Sequence, residues 1–218
     1  MNQASGWWKG AFSTSVRVDV IQELDSTDPT LEIPWASPTN PDLHYVDLRA
    51  RPQQIDQLAE CRRYPALAAL LRTVNAADTS LRTAKCDIWV TTELAEDERL
   101  EFTLPCKVGS YVDLVFDRRD WNSRLEPYLH LGNELSRRLG QVHVQAQMEA
   151  CVRRCLFHPE ERWGYYLTVF THAYGASPHE AEGAWQRALR ALGNALAQIG
   201  RRLRDAPADP VRPLTDFW

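Results

Sequence analysis

Hydrophobic positions along the chain switch between two periods, and each switch predicts an element. Val16, Val18 and Val20 alternate with Arg17 and Asp19, so 16–22 predicts a half-buried strand. The stretch 25–41 holds Pro29, Pro34, Pro38 and Pro41. Fixed φ angles and missing N–H donors exclude a long helix or central strand there. It predicts a long loop or extended strap, pinned by Leu31, Ile33 and Trp35. Residues 44–50 predict a strand. A helical face follows at Ile55, Leu58, Ala59 and Arg62; Pro65 breaks it and opens a second helix over 66–74. The stretch 84–94 predicts a strand, with Cys86, Ile88, Val90 and Thr92 on one face and Lys85, Asp87, Trp89 and Thr91 on the other. Residues 102–117 predict extended chain with a kink or bulge at Gly109.

Asp120 or Asn122 is placed to cap a helix carrying Leu125, Leu129, Gly132, Leu135 and Leu139 on one stripe. Alternation returns over 142–157 and again over 165–174, around a charged turn at 158–163, so the pair predicts a hairpin. Ser177-Pro178 with Glu180 is a helix start signal. The long stripe Trp185, Leu189, Leu192, Leu196, Ile199 and Leu203 follows it.

This string predicts an α+β fold, an antiparallel sheet with helices packed on one face, because each amphipathic helix must bury its stripe. The order over 44–157 is ferredoxin-like. Repeated strand–strand–helix units over about 16–80, 81–141 and 142–204 fit equally well. Tyr45-Val46-Asp47-Leu48 recurs as Tyr111-Val112-Asp113-Leu114, which supports the repeat reading. Either way one domain is expected over 16–204, with an N-terminal arm at 1–15, a C-terminal tail at 205–218, and one sheet face left open.

Composition narrows the function classes. The chain has 218 residues and a net charge of −4. The stretch to 117 is net acidic and the remainder net basic, and a duplex nucleic-acid binder is not expected from that balance. No apolar run is long enough for a membrane span. The 5 Cys are an odd count without framework spacing, so reduced thiols in the cytoplasm are expected.

Motifs for the commonest chemistries are missing: no phosphate-binding glycine loop, no G-x-S-x-G and no H-E-x-x-H occurs. Cys151 and Cys155 share a strand face but stand about 13 Å apart, too far for one metal. No metal and no cofactor are expected. The polar strand face Gln145, Gln147, Glu149, Cys151 and Arg153 is a candidate ligand surface if Tyr166, Thr168, His172 and Tyr174 share it. Glu149 and His172 are the candidate acid–base pair, provided the hairpin register puts them on one side. Trp7, Trp8, Phe217 and Trp218 are candidate docking groups at the two ends. The leading expectation is a non-enzymatic binding or assembly module that self-associates or binds another protein. The alternative is a small-molecule-binding protein or enzyme working through the Glu149 and His172 face.

Overall fold

The computed structural model describes residues 16–205 apart from 29, 95, 97 and 99–102. The candidate docking groups Trp7, Trp8, Phe217 and Trp218 lie outside the described residues, as do the arm and nearly all of the tail. Among the described residues these elements follow in chain order: β1 (Arg17–Glu23), β2 (Leu31–Ile33), a 3-10 helix (Pro52–Gln57), α1 (Ala59–Arg63), α2 (Pro65–Val74), β3 (Leu81–Thr91), β4 (Cys106–Phe116), a 3-10 turn (Trp121–Ser123), α3 (Glu126–Leu139), β5 (Ala146–Phe157), β6 (Arg162–Gly175) and α4 (Pro178–Arg204).

The fold is mixed α+β around one six-stranded sheet of order β1-β5-β6-β4-β3, with β2 also on β5. The strands β3, β4, β6 and β5 are antiparallel neighbours. β1 and β2 both run parallel to β5, β1 along residues 147–153 and β2 along 155–157. The sheet is therefore antiparallel from β5 out to the β3 edge and parallel only where β1 and β2 join β5. The chain leaves the sheet after β1 and returns on the same edge within the proline-rich stretch.

Several expectations about local structure fail. Residues 44–50 form no strand; His44 makes a single bridge to Ala36, and 48–50 are turn. The reason is Asp47, whose Oδ1 accepts the N–H groups of Arg49 and Ala50 and closes a local turn. Without that strand the ferredoxin-like order does not form, and the two Tyr-Val-Asp-Leu segments have different structures. Hairpin-then-helix order does occur over β3-β4-α3 and β5-β6-α4, whereas β1 and β2 do not pair with each other. Gly109 carries no bulge: it sits in register with Trp89 and His172, and the irregularity lies between Thr83 and Lys85. Glycine is needed there for space, because a Cβ would collide with the Trp89 ring lying across it.

One face of the sheet carries Val18, Val108, Val112, Leu114, Met148, Ala150, Val152, Leu167, Val169 and Ala173. These form one cluster with the stripes of α2, α3 and α4. Ser177 caps α4 by accepting the Glu180 N–H at 3.3 Å, and Trp185 is buried with its indole N–H donating to Ser110 Oγ at 2.8 Å. On the opposite face, a second small cluster of Ile33, Ala84, Val115, Cys155 and Tyr166 lies under the strap. Trp35 pins the strap by donating to the Ala84 carbonyl at 2.9 Å.

Candidate binding face

Strand alternation sends odd-numbered residues of β4 and β5, and even-numbered residues of β6, to the face opposite α2, α3 and α4. The register sets Gln147 beside His172, Glu149 beside Phe170, Cys151 beside Thr168 and Arg153 beside Tyr166. Trp89, Gly109 and His172 form one row across β3, β4 and β6; Asp87, Tyr111 and Phe170 form the next; Lys85, Asp113 and Thr168 the third. Gln147, Glu149, Arg153, Tyr166 and His172 thus share a face. Gln145 precedes β5, is exposed, and lines a separate hollow with His179 and Arg187 at the start of α4. Tyr174 is buried, its hydroxyl donating to Glu98 at 3.0 Å.

The centre of this face is aromatic. Tyr111 and Phe170 lie 5.9 Å apart between ring centroids, Trp89 and His172 meet edge-on at 5.9 Å, and Phe170 and His172 are 6.2 Å apart. All four are half-buried. Charges of both signs surround them. Lys85 Nζ stands 5.0 Å above the Trp35 ring and 5.9 Å from Tyr111. Arg153 lies over Phe170 at 5.2 Å while its Nε donates to Glu23 at 2.7 Å. Lys107 pairs with Glu98 at the far end.

Asp113, a residue the sequence reading left unassigned, sits in the third row and is only 4% exposed. One oxygen accepts the Thr168 hydroxyl at 2.6 Å, and no donor among the described residues reaches the other. Burial pushes its carboxyl up to about 6, against the opposing pull of Thr168, Lys85 and Arg153. A lone Asp inside the apolar run from Val112 to Phe116 was the available signal.

His172 moves the other way. Burial and, secondarily, the Lys107 ammonium bring it down to about 4, against Glu98. The imidazole is therefore neutral near pH 7 and packs as an aromatic ring. No hydrogen bond among the described residues joins it to Glu149, so the two do not form a coupled acid–base pair here. The thiols are no better placed for chemistry: burial pushes Cys61 up to about 11, and Cys86 and Cys151 up to about 12. Such groups stay protonated and unreactive. Among the described residues no group of three or more His, Cys, Asp or Glu is arranged to hold a metal ion, and no helix is long and apolar enough to cross a membrane.

No family model, no curated protein and no solved structure matches this chain.

Proposed function

We propose that the chain is a non-enzymatic assembly module that pairs with a second copy of itself through the sheet face opposite α2, α3 and α4. The observation that carries this reading is the contiguous aromatic band of Trp89, Tyr111, Phe170 and His172 across three strands. Aromatic centres ringed by polar groups are the usual anatomy of protein interfaces. The ring holds Lys85 together with Asp87 and Glu149, none in an ion pair among the described residues, so two copies related by a two-fold axis can each supply the charge the other needs.

Pairing through the open edge of β3 is less favoured. The bulge between Thr83 and Lys85 interrupts that edge, Trp35 takes the Ala84 carbonyl, and Asp87 takes the Ile88 N–H. Such devices discourage strand addition.

Binding of a small polar molecule on the same face is the second reading, favoured by the buried Asp113 carboxyl beside Thr168 and Lys85. Native mass spectrometry separates the two. Wild-type protein is expected at a multiple of 25.0 kDa, and Phe170→Asp at the monomer mass. A wild-type monomer at micromolar concentration, or a multimer that survives Phe170→Asp, overturns the assembly reading. A monomer carrying a small adduct supports the second.

A further inference from the structure

A cavity of about 260 Å³ opens at the strap end of the sheet, between the β2 segment, the ends of β3 and β4, and the tip of the β5–β6 hairpin. Ile33, Val115 and Phe157 supply its apolar floor, and Arg82, Arg119 and Arg162 its guanidinium groups.

Those three cations are not equivalent. Arg82 is neutralised by Asp117 at 2.6 Å and Asp47 at 3.2 Å, and Asp117 also takes Arg49 at 3.0 Å. Arg119 is mostly exposed and pairs with Glu160 at 2.6 Å. Arg162 has no carboxylate within ion-pair distance among the described residues. Its Nη1 donates to the Arg119 carbonyl at 2.7 Å and to Ser123 Oγ at 3.2 Å, which fixes the plane of the group. Its Nε and Nη2 make no hydrogen bond among the described residues, and the group lies over the Phe157 ring at 5.5 Å. The Asp117 and Glu160 carboxylates, Tyr45 and His158 also line the wall, and Glu32 stands 3.5 Å from His158 Nε2 and mostly in water.

A half-buried guanidinium with one arm anchored and the fork unfilled matches the geometry of a carboxylate or phosphate, which takes two parallel N–H donors. The cavity is larger than the anion alone and its floor is apolar. We propose that this cavity binds a small organic oxyanion, its charged end on Arg162 and its organic body on Ile33, Val115 and Phe157. None of the four rings of the aromatic band lines this cavity, so the site stands independently of the assembly reading.

Isothermal titration at fixed ionic strength tests it, with inorganic phosphate and benzoate as separate probes. Saturable binding of at least one is expected, and which one binds tells phosphate from carboxylate recognition. Arg162→Gln should weaken binding roughly tenfold or more, and Arg162→Lys, which keeps the charge and loses the fork, by a similar factor. Arg17→Gln, on an exposed arginine elsewhere, should bind as the wild type does. If neither probe saturates, or if the folded Arg162 variants bind as tightly as the wild type, the site is wrong.

Discussion

The same sheet strands present two unlike faces. Towards the helices, β4 and β6 place Val108, Val112, Leu114, Leu167, Val169 and Ala173, all nearly inaccessible and locked between α2, α3 and α4. Away from the helices, one residue along in each strand, they place Lys107, Tyr111, Asp113, Phe170 and His172. The first face is constrained by volume, since every atom there has neighbours in close-packed contact. The second is constrained by charge and ring geometry. It tolerates two groups with displaced titrations, Asp113 and His172, that the first face could not hold without partners. A sheet with helices on one side can thus keep its stability and its chemistry on opposite sides of the same backbone.

Substitutions should separate the two faces cleanly. The largest effect is expected on the helix side. Trp185→Ala removes a fully buried ring and leaves Ser110 without its donor, and urea denaturation should show a loss of about 3–5 kcal/mol.

On the other face the sign reverses. Asp113→Asn should raise stability at pH 7.5 by on the order of 2–3 kcal/mol, because it removes the burden of ionising a carboxylate held near pH 6. The pH profile sharpens this. Folding favours the neutral form of Asp113, so its contribution to stability declines as pH rises from about 4 to 6. Folding also favours neutral His172, whose contribution is lost as pH falls from 6.5 through about 4. The two slopes oppose one another in the same acid window. Asp113→Asn should therefore make stability climb more steeply with pH between 4 and 6 than in the wild type. His172→Gln should make it climb less, or fall. Parallel profiles for the two variants would break the account.

Gly109→Ala should cost about 1 kcal/mol and shift tryptophan fluorescence, as the new Cβ drives Trp89 off the face. The smallest stability change, under about 1 kcal/mol for the monomer, is expected for Phe170→Asp at its half-buried site. A loss like that of Trp185→Ala would mean the aromatic band belongs to the core after all.

Period alone made much of this legible. Alternation at Val16, Val18 and Val20, the paired alternations that became β5 and β6, and the Ser177-Pro178 start of α4 all depend on local sequence, and the structure forms each of them. What escaped depends on side-chain contacts and strand pairings that the hydrophobic period does not report. Asn122 was a plausible helix cap, yet its side chain clasps the Phe116 backbone and accepts the Tyr128 hydroxyl, and α3 starts later at Glu126. Leu31 and Ile33 read as strap anchors, yet they form a strand because β5 extends beyond the end of β1 and offers them an edge. The shared face of Glu149 and His172 was an open question of register. Asp113 and Lys85 were separately visible as strand residues, but only the pairing of β3 with β4 brings them together.

The way β1 and β2 divide one edge of β5 has a kinetic consequence. Every ladder bond they make joins segments far apart in sequence; Glu23 and Arg153, which tie β1 to β5, are 130 residues apart. The hairpins β3–β4 and β5–β6 close over much shorter loops. Long closures carry the larger entropic penalty and are made last. The first strand and the strap should therefore open as a unit while the rest stays folded. Amide protons of residues 17–23 and 31–33 should exchange with deuterium well before those of 146–157 and 162–175.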